Sequence, residues 1–217
     1  SFELIKDLVE QIAFEARESE YVDAKSGVSA RLTISAYENL ISAAERRMVK
    51  NGMDKTTVRV TDFVGVIPGI TGKVELVYEG EQEGPGIVAA NLISKAIRAQ
   101  FVNFFPDPED IRKSKKSNSP YQAISEWFGK GNMVDLILDA SDSEYRSCLN
   151  TVPGLADLVN KTYANESEAY RLFLMELALH GLAEYSVLSK HILEEGLQFK
   201  DLISSMLNIE DHTSKDV

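Results

Sequence analysis

Cysteine is nearly absent: Cys148 is the only one in 217 residues. An internal disulfide is therefore excluded, and the chain is expected in a reducing compartment, the cytoplasm. No run approaches the roughly 18 to 20 apolar residues that crossing a bilayer needs, and no signal peptide is visible, so no membrane partner is expected. Six prolines and 13 glycines are few for an all-β protein of this length. Positive charge is also short, with 23 Lys and Arg against 34 Asp and Glu for a net charge of −11. Such a surface repels phosphate backbones, and nucleic acid is not expected as a partner.

What is present is apolar residue at helical spacing. Hydrophobic residues make up 44% of the chain, enough for a substantial core. Leu4, Ile5, Leu8, Val9, Ile12, Ala13 and Ala16 predict an amphipathic helix over 2–18. A second helix is expected from Thr33–Ser35, with Ser35 and Glu38 at capping-box spacing and Asn51-Gly52 as its stop. The β-branched run Thr56 to Val60 reads as one short strand, and Thr61 as the cap of a short helix to Ile67. Residues 70–79 fit either period and are assigned to helix, since nothing nearby offers a partner strand. Glu79 to Pro85 reads as an acidic loop, and 87–105 as a long apolar helix. Beyond a polar loop, helices are expected near 121–128, 133–139, 142–150, 154–162, 166–189 and 199–207. Ser119-Pro120 and the pair Ser141 and Glu144 supply helix starts. The expected fold is all-α with at most one short β element, divided into 1–68, a connector 69–85, and a helical domain 86–217.

Few residues offer chemistry. Arg31, in SGVSARLTIS, sits just ahead of a helix N-terminus. A cation there opposes the helix dipole by a few tenths to about 1 kcal/mol, unless an anion occupies the same place. Guanidinium plus helix N-terminus is a good phosphate site. The plainer reading is a surface arginine, or an ion pair with Asp23 or Glu38. Gly69, Gly72 and Lys73 imitate a phosphate loop, but Ile67 stands where its first glycine belongs and Val74 where its hydroxyl belongs. Glu176, His180 and Glu184 share one helix face, yet no second Glu-x-x-His segment joins them, so a solvated polar stripe is expected rather than a metal site. His180 and His191, on one continuous helix, would lie about 16 Å apart, too far for one ion. Cys148 has no nearby base and reads as a packed side chain. Arg112, Lys113, Lys115 and Lys116 are the one concentration of positive charge, a solvated loop or a dock for an acidic partner.

Two segments carry a family resemblance. YVDAKSGVSARLTISAYENLISAAERR (Tyr21 to Arg47) resembles the lid of AAA+ ATPases of the magnesium-chelatase subunit I and MoxR-like group. VRVTDFVGVIPGITGKVELVYEGEQEG (Val58 to Gly84) resembles its continuation in chelatase-subunit-I-like bacterial proteins. The resemblance covers residues 1–105; beyond them it rests on the order of short helices. It implies an AAA+ lid-type bundle followed by a helical extension. It also implies that Arg31 is the lid arginine, sensor 2, which reaches the γ-phosphate of bound ATP.

The ATP and Mg²⁺ so implied belong to the parent protein: this sequence holds no phosphate loop, no Walker B acids and no complete catalytic or metal site. With no initiator methionine and helical periodicity already running at Phe2, it reads as a piece of a longer chain. The implied partners are its own N-terminal ATPase core, neighbouring subunits of a ring, and a protein to be remodelled. Arg46 and Arg47, further along the same helix, are expected to matter little to nucleotide. The alternative is a free-standing helical adaptor without nucleotide dependence.

Overall fold

The computed structural model describes residues 2–114, 118–203 and 205–206. The chain forms two compact units, Ser1–Phe104 and Phe105–Val217.

Unit 1 is helical. Its elements are α1 (Phe2–Glu18), α2 (Leu32–Lys50), a 3₁₀ helix (Val60–Val66), α3 (Ile67–Thr71), α4 (Tyr78–Glu83) and α5 (Pro85–Phe101). The apolar stripe of α1, with Leu8, Ile12 and Ala16 all but inaccessible, packs on α5 and α2. α5 answers with Val88, Leu92, Ala96 and Phe101 at helical spacing. The segment 69–85, expected as a connector, lies inside this unit, and so does α5, which had been grouped with the second domain. The cause is the apolar face of α5, which finds its cover on α1 and α3.

Several local expectations change. Thr56 to Val60 forms no strand: residues 56–59 are irregular, Val60 opens the 3₁₀ helix, and the Thr57 carbonyl accepts from the buried Arg47 side chain instead of a neighbouring strand. Residues 73–77 are not helical. Val74 and Leu76 form isolated antiparallel bridges to Val28 and Val22, so the partner that seemed missing is the polar connection before α2. The acidic segment taken for a loop is α4. Gly69 lets α3 approach α2, since a Cβ there would lie 2.6 Å from the Asn39 Nδ2 atom.

Unit 2 contains α6 (Pro108–Lys113), α7 (Gln122–Gly129), β1 (Val134–Ile137), α8 (Asp142–Asn150), α9 (Leu155–Tyr163), α10 (Glu168–Glu184), β2 (Leu188–Leu193) and β3 (Gly196–Asp201). Every residue of α10 from Phe173 to Leu182 is buried, beneath α8, α9 and β2. The Ser141–Glu144 capping box forms at the start of α8.

The described residues are mostly helical, as expected, but here more than one short β element is present. The three strands make an antiparallel sheet in the order β1-β3-β2, pairing Val134 with Phe199 and Lys190 with Phe199 from opposite sides. The helix expected over 133–139 is β1, whose Val134 and Leu136 are buried and whose Asp135 and Ile137 are exposed. The helix expected over 166–189 stops at Glu184, where Ser186 turns left-handed at φ 55°. Its N–H bonds the Ala183 carbonyl (3.0 Å), and that of Val187 reaches back to Leu182 (2.8 Å). This is a Schellman ending with serine in the usual glycine position. The helix expected over 199–207 is β3 in its first part, and 207 lies outside the described residues. Among the described residues no helix is long and apolar enough to cross a membrane.

Candidate functional site

The connection ahead of α2 is held by one local and one long-range device. Asp23 Oδ1 accepts from the backbone N–H groups of Lys25 and Ser26 (both 2.9 Å), closing a tight turn. The same bonds, that from Ser26 first, hold the Asp23 carboxyl below its ordinary range. The connection is then laid against 73–77: Asp23 N bonds Glu75 O (2.9 Å), Ser29 N bonds Lys73 O (2.9 Å), and the Ser26 hydroxyl donates to Glu75 (2.7 Å). This ladder delivers Arg31 to the N-cap of α2, one residue ahead of its first position.

Arg31 is itself the N-cap residue, at φ −91° and ψ 2°. Helix α2 starts earlier than its sequence signal: Ser35 lies inside it and forms no capping box. The N-cap makes no side-chain hydrogen bond, and the first turn contains no acidic residue. The positive end of the dipole is thus left without an anionic side chain, and the exposed Arg31 stands beside it. Among the described residues the Arg31 guanidinium makes no hydrogen bond or ion pair, with Asp23, Glu38 or any other group. Two shallow, open grooves adjoin this end of α2 on the α1 side. One, of about 470 Å³, includes Glu10, Phe14, Arg17, Thr33 and Gln100; the other, of about 420 Å³, includes Lys6, Val9, Thr33, Ile34 and Tyr37. Phe14 and Ile34 leave more than half their surface in water, at 56% and 58%. The groove carrying Ile34 also includes Thr33, two residues beyond Arg31.

The other sequence candidates fall apart. The Gly69–Gly72 segment is the end of α3 packed on α2, with no loop to wrap a phosphate. Arg112 lies at the end of α6 and donates to the Tyr185 carbonyl (3.3 Å), while Lys113 sits 4.0 Å from Asp110. Lys115 and Lys116 lie outside the described residues. Cys148 is half-buried with its Sγ 3.3 Å from the Asp135 carbonyl oxygen, and burial pushes its thiol up. The Glu176–His180–Glu184 stripe is not solvated. Glu176 and His180 are in the core, and Glu184 pairs with Lys190 at 2.5 Å. Among the described residues no cluster of His, Cys, Asp or Glu is placed to hold a metal ion.

One group missed by sequence reasoning is Arg47. It is fully buried, ion-paired to Asp62, and donates to Thr56 Oγ1 (3.1 Å) and Thr57 O (2.6 Å). Asp62 also accepts from the Arg59 backbone N–H (2.7 Å). The signal was available: Ala36, Leu40, Ala43, Ala44 and Arg47 recur at the spacing of one buried face.

Comparison with family models, with curated protein sequences and with solved structures gives no match.

Proposed function

We propose that unit 1 is the lid of a AAA+ ATPase of the magnesium-chelatase subunit I-like group. Arg31 would be directed at the γ-phosphate of ATP held by an ATPase core outside this sequence. The observation that supports this reading is the uncompensated N-terminus of α2 with an exposed guanidinium at its cap, free of any protein anion among the described residues. A phosphate group relieves the unfavourable cation–dipole arrangement and is met by guanidinium and backbone N–H groups together. Mg-ATP would supply the transferable phosphoryl group; the part played by this chain is to place one positive charge where negative charge accumulates during transfer.

The exposed Phe14 and Ile34 beside the grooves fit the same reading, since a lid needs an apolar face for the core it closes on. Unit 2 would then pass lid movement on to a partner protein, as remodelling coupled to ATP hydrolysis in a ring of subunits. The same apolar groove favours a second reading, a helical adaptor that covers Phe14 and Ile34 with a partner chain and uses no nucleotide. The gene ahead of the Ser1 codon separates the two. A Gly-x-x-x-x-Gly-Lys-Ser/Thr segment within the preceding few hundred codons supports the lid; a start codon immediately before Ser1 overturns it.

A further inference from the structure

Helix α10 buries an ionisable pair that the proposed function does not use. Glu176 and His180 lie one turn apart, 0% and 3% exposed. Glu176 Oε2 accepts from the Tyr145 hydroxyl of α8 at 2.7 Å. Its other oxygen is 3.6 Å from His180 Nε2, beyond hydrogen-bond range, and neither ring nitrogen of His180 has a hydrogen-bond partner among the described residues. The imidazole instead meets the Phe199 ring of β3 nearly edge-on, with centroids 5.0 Å apart. Phe199 is itself wholly buried and holds the middle of the sheet, between Val134 and Lys190. The neutral ring is therefore a spacer between α10 and the β2–β3 hairpin.

We infer that His180 is an acid-sensitive latch: neutral, it seats the β2–β3 hairpin on α10; protonated, it loosens that seat. The charges around it decide the sign. On α10, Glu176 favours the imidazolium, and so does Glu184, but Glu184 is already engaged by Lys190 of β2. Lys190 disfavours it. Tyr145 of α8 contributes a hydroxyl already committed to Glu176, Phe199 of β3 contributes an apolar ring, and His191 of β2 turns to Ser205 Oγ at 2.8 Å. Burial outweighs the two carboxyl groups and lowers the affinity of the folded state for the proton. The unfolded or opened chain, with an imidazole near 6.5, takes up the proton first. Stability of the hairpin contact is therefore complete above about pH 6.5 and falls as pH drops through it, until the folded-state value is reached.

The test uses the whole chain. Hydrogen exchange of the 188–201 amides is followed between pH 7.5 and 5.0 and corrected for intrinsic exchange rates, while the His180 ring is titrated by NMR. The expected result is a loss of protection approaching tenfold per pH unit below about 6.5. His180 should stay neutral at the pH where a free imidazole is half protonated. His180→Phe, which keeps a ring beside Phe199 without a titratable nitrogen, should give protection independent of pH, and His191→Gln should behave as the unaltered protein. Constant protection of the unaltered chain over this range overturns the inference, as does a His180→Phe protein that keeps the pH dependence. Should His180→Phe fail to fold, the NMR titration alone decides: protonation of His180 at or above pH 6.5 refutes the latch.

Discussion

Replacing Arg47 by alanine should damage unit 1 far more than any change at the neighbouring Arg46. The Arg47 side chain is 0% exposed and its Asp62 partner 3% exposed. Truncation removes the ion pair and takes donors from Thr56 Oγ1 and Thr57 O at one stroke. Asp62 keeps the Arg59 N–H but loses the guanidinium beside it. Removing one partner of a buried pair costs about 3–5 kcal/mol, because the remaining buried charge loses its counter-ion. A domain of about a hundred residues loses roughly 4–8 °C per kcal/mol, so a fall of some 12 to 40 °C in Tm is expected. The assay is urea and thermal unfolding followed by circular dichroism, with Arg46→Ala as the exposed control, expected within about 0.5 kcal/mol. The double replacement Arg47→Met with Asp62→Leu should be milder than Arg47→Ala, since it removes both charges of the pair together. An Arg47→Ala protein within about 1 kcal/mol of the parent would refute the claim that this network anchors the 56–59 segment to α2.

Other outcomes follow from unit 2 and from the nucleotide reading. Ser141→Ala removes the acceptor that meets the Glu144 N–H, and should lower stability by about 1 kcal/mol in urea unfolding. Gly154 sits at φ 78° ahead of α9, and a Cβ there would lie 2.9 Å from that of Ala123. Gly154→Ala should therefore cost about 1–3 kcal/mol in the same assay, and a neutral result would contradict the stated backbone conformation. Titration calorimetry of this chain with Mg-ATP should show no saturable binding. A low-micromolar Kd, about 8 kcal/mol, would mean that a nucleotide site exists within these residues.

How far the sequence could be read depended on whether each signal was local. α1 and α8 were legible to the residue, because an apolar stripe in the one and a Ser–Glu capping box in the other are both contained within the helix. The sheet was not, for three separable reasons. β1 offers only Val134 and Leu136 as an alternating pair, too short to outweigh its helical neighbours. α10 ends on Ser186, a left-handed position that gives no glycine to mark it. The turn between β2 and β3 is Glu194-Glu195, without the Asn-Gly or Asp-Gly pair that announces a hairpin.

At the candidate site the existence of α2 and the position of Arg31 just before it were readable from spacing, but its start was set up to three residues late on a Ser35 capping box that does not form. The pairing of the preceding connection with 73–77 was not, since its partner lies some fifty residues away. Arg47 was read only for its bearing on nucleotide, although its place on the stripe with Ala36, Leu40, Ala43 and Ala44 was visible in the spacing. His180 and Glu176 were assigned to solvent by their polarity, although the residues around them from Phe173 to Leu182 form an all-round apolar helix that leaves no solvated face.

The central claim, that Arg31 serves ATP rather than the fold, is tested most directly by ATP turnover of the parent protein carrying Arg31→Ala, with Arg46→Ala beside it. An exposed guanidinium without a protein partner should be dispensable for folding, so the Tm of this chain should be unchanged by the substitution. Turnover should fall by about a hundredfold, the scale for removing one preorganised charge from a developing anion, while Arg46→Ala leaves it near normal. Turnover unaffected by Arg31→Ala, or a chain that unfolds when Arg31 is removed, would contradict the account and return Arg31 to the role of a structural surface residue.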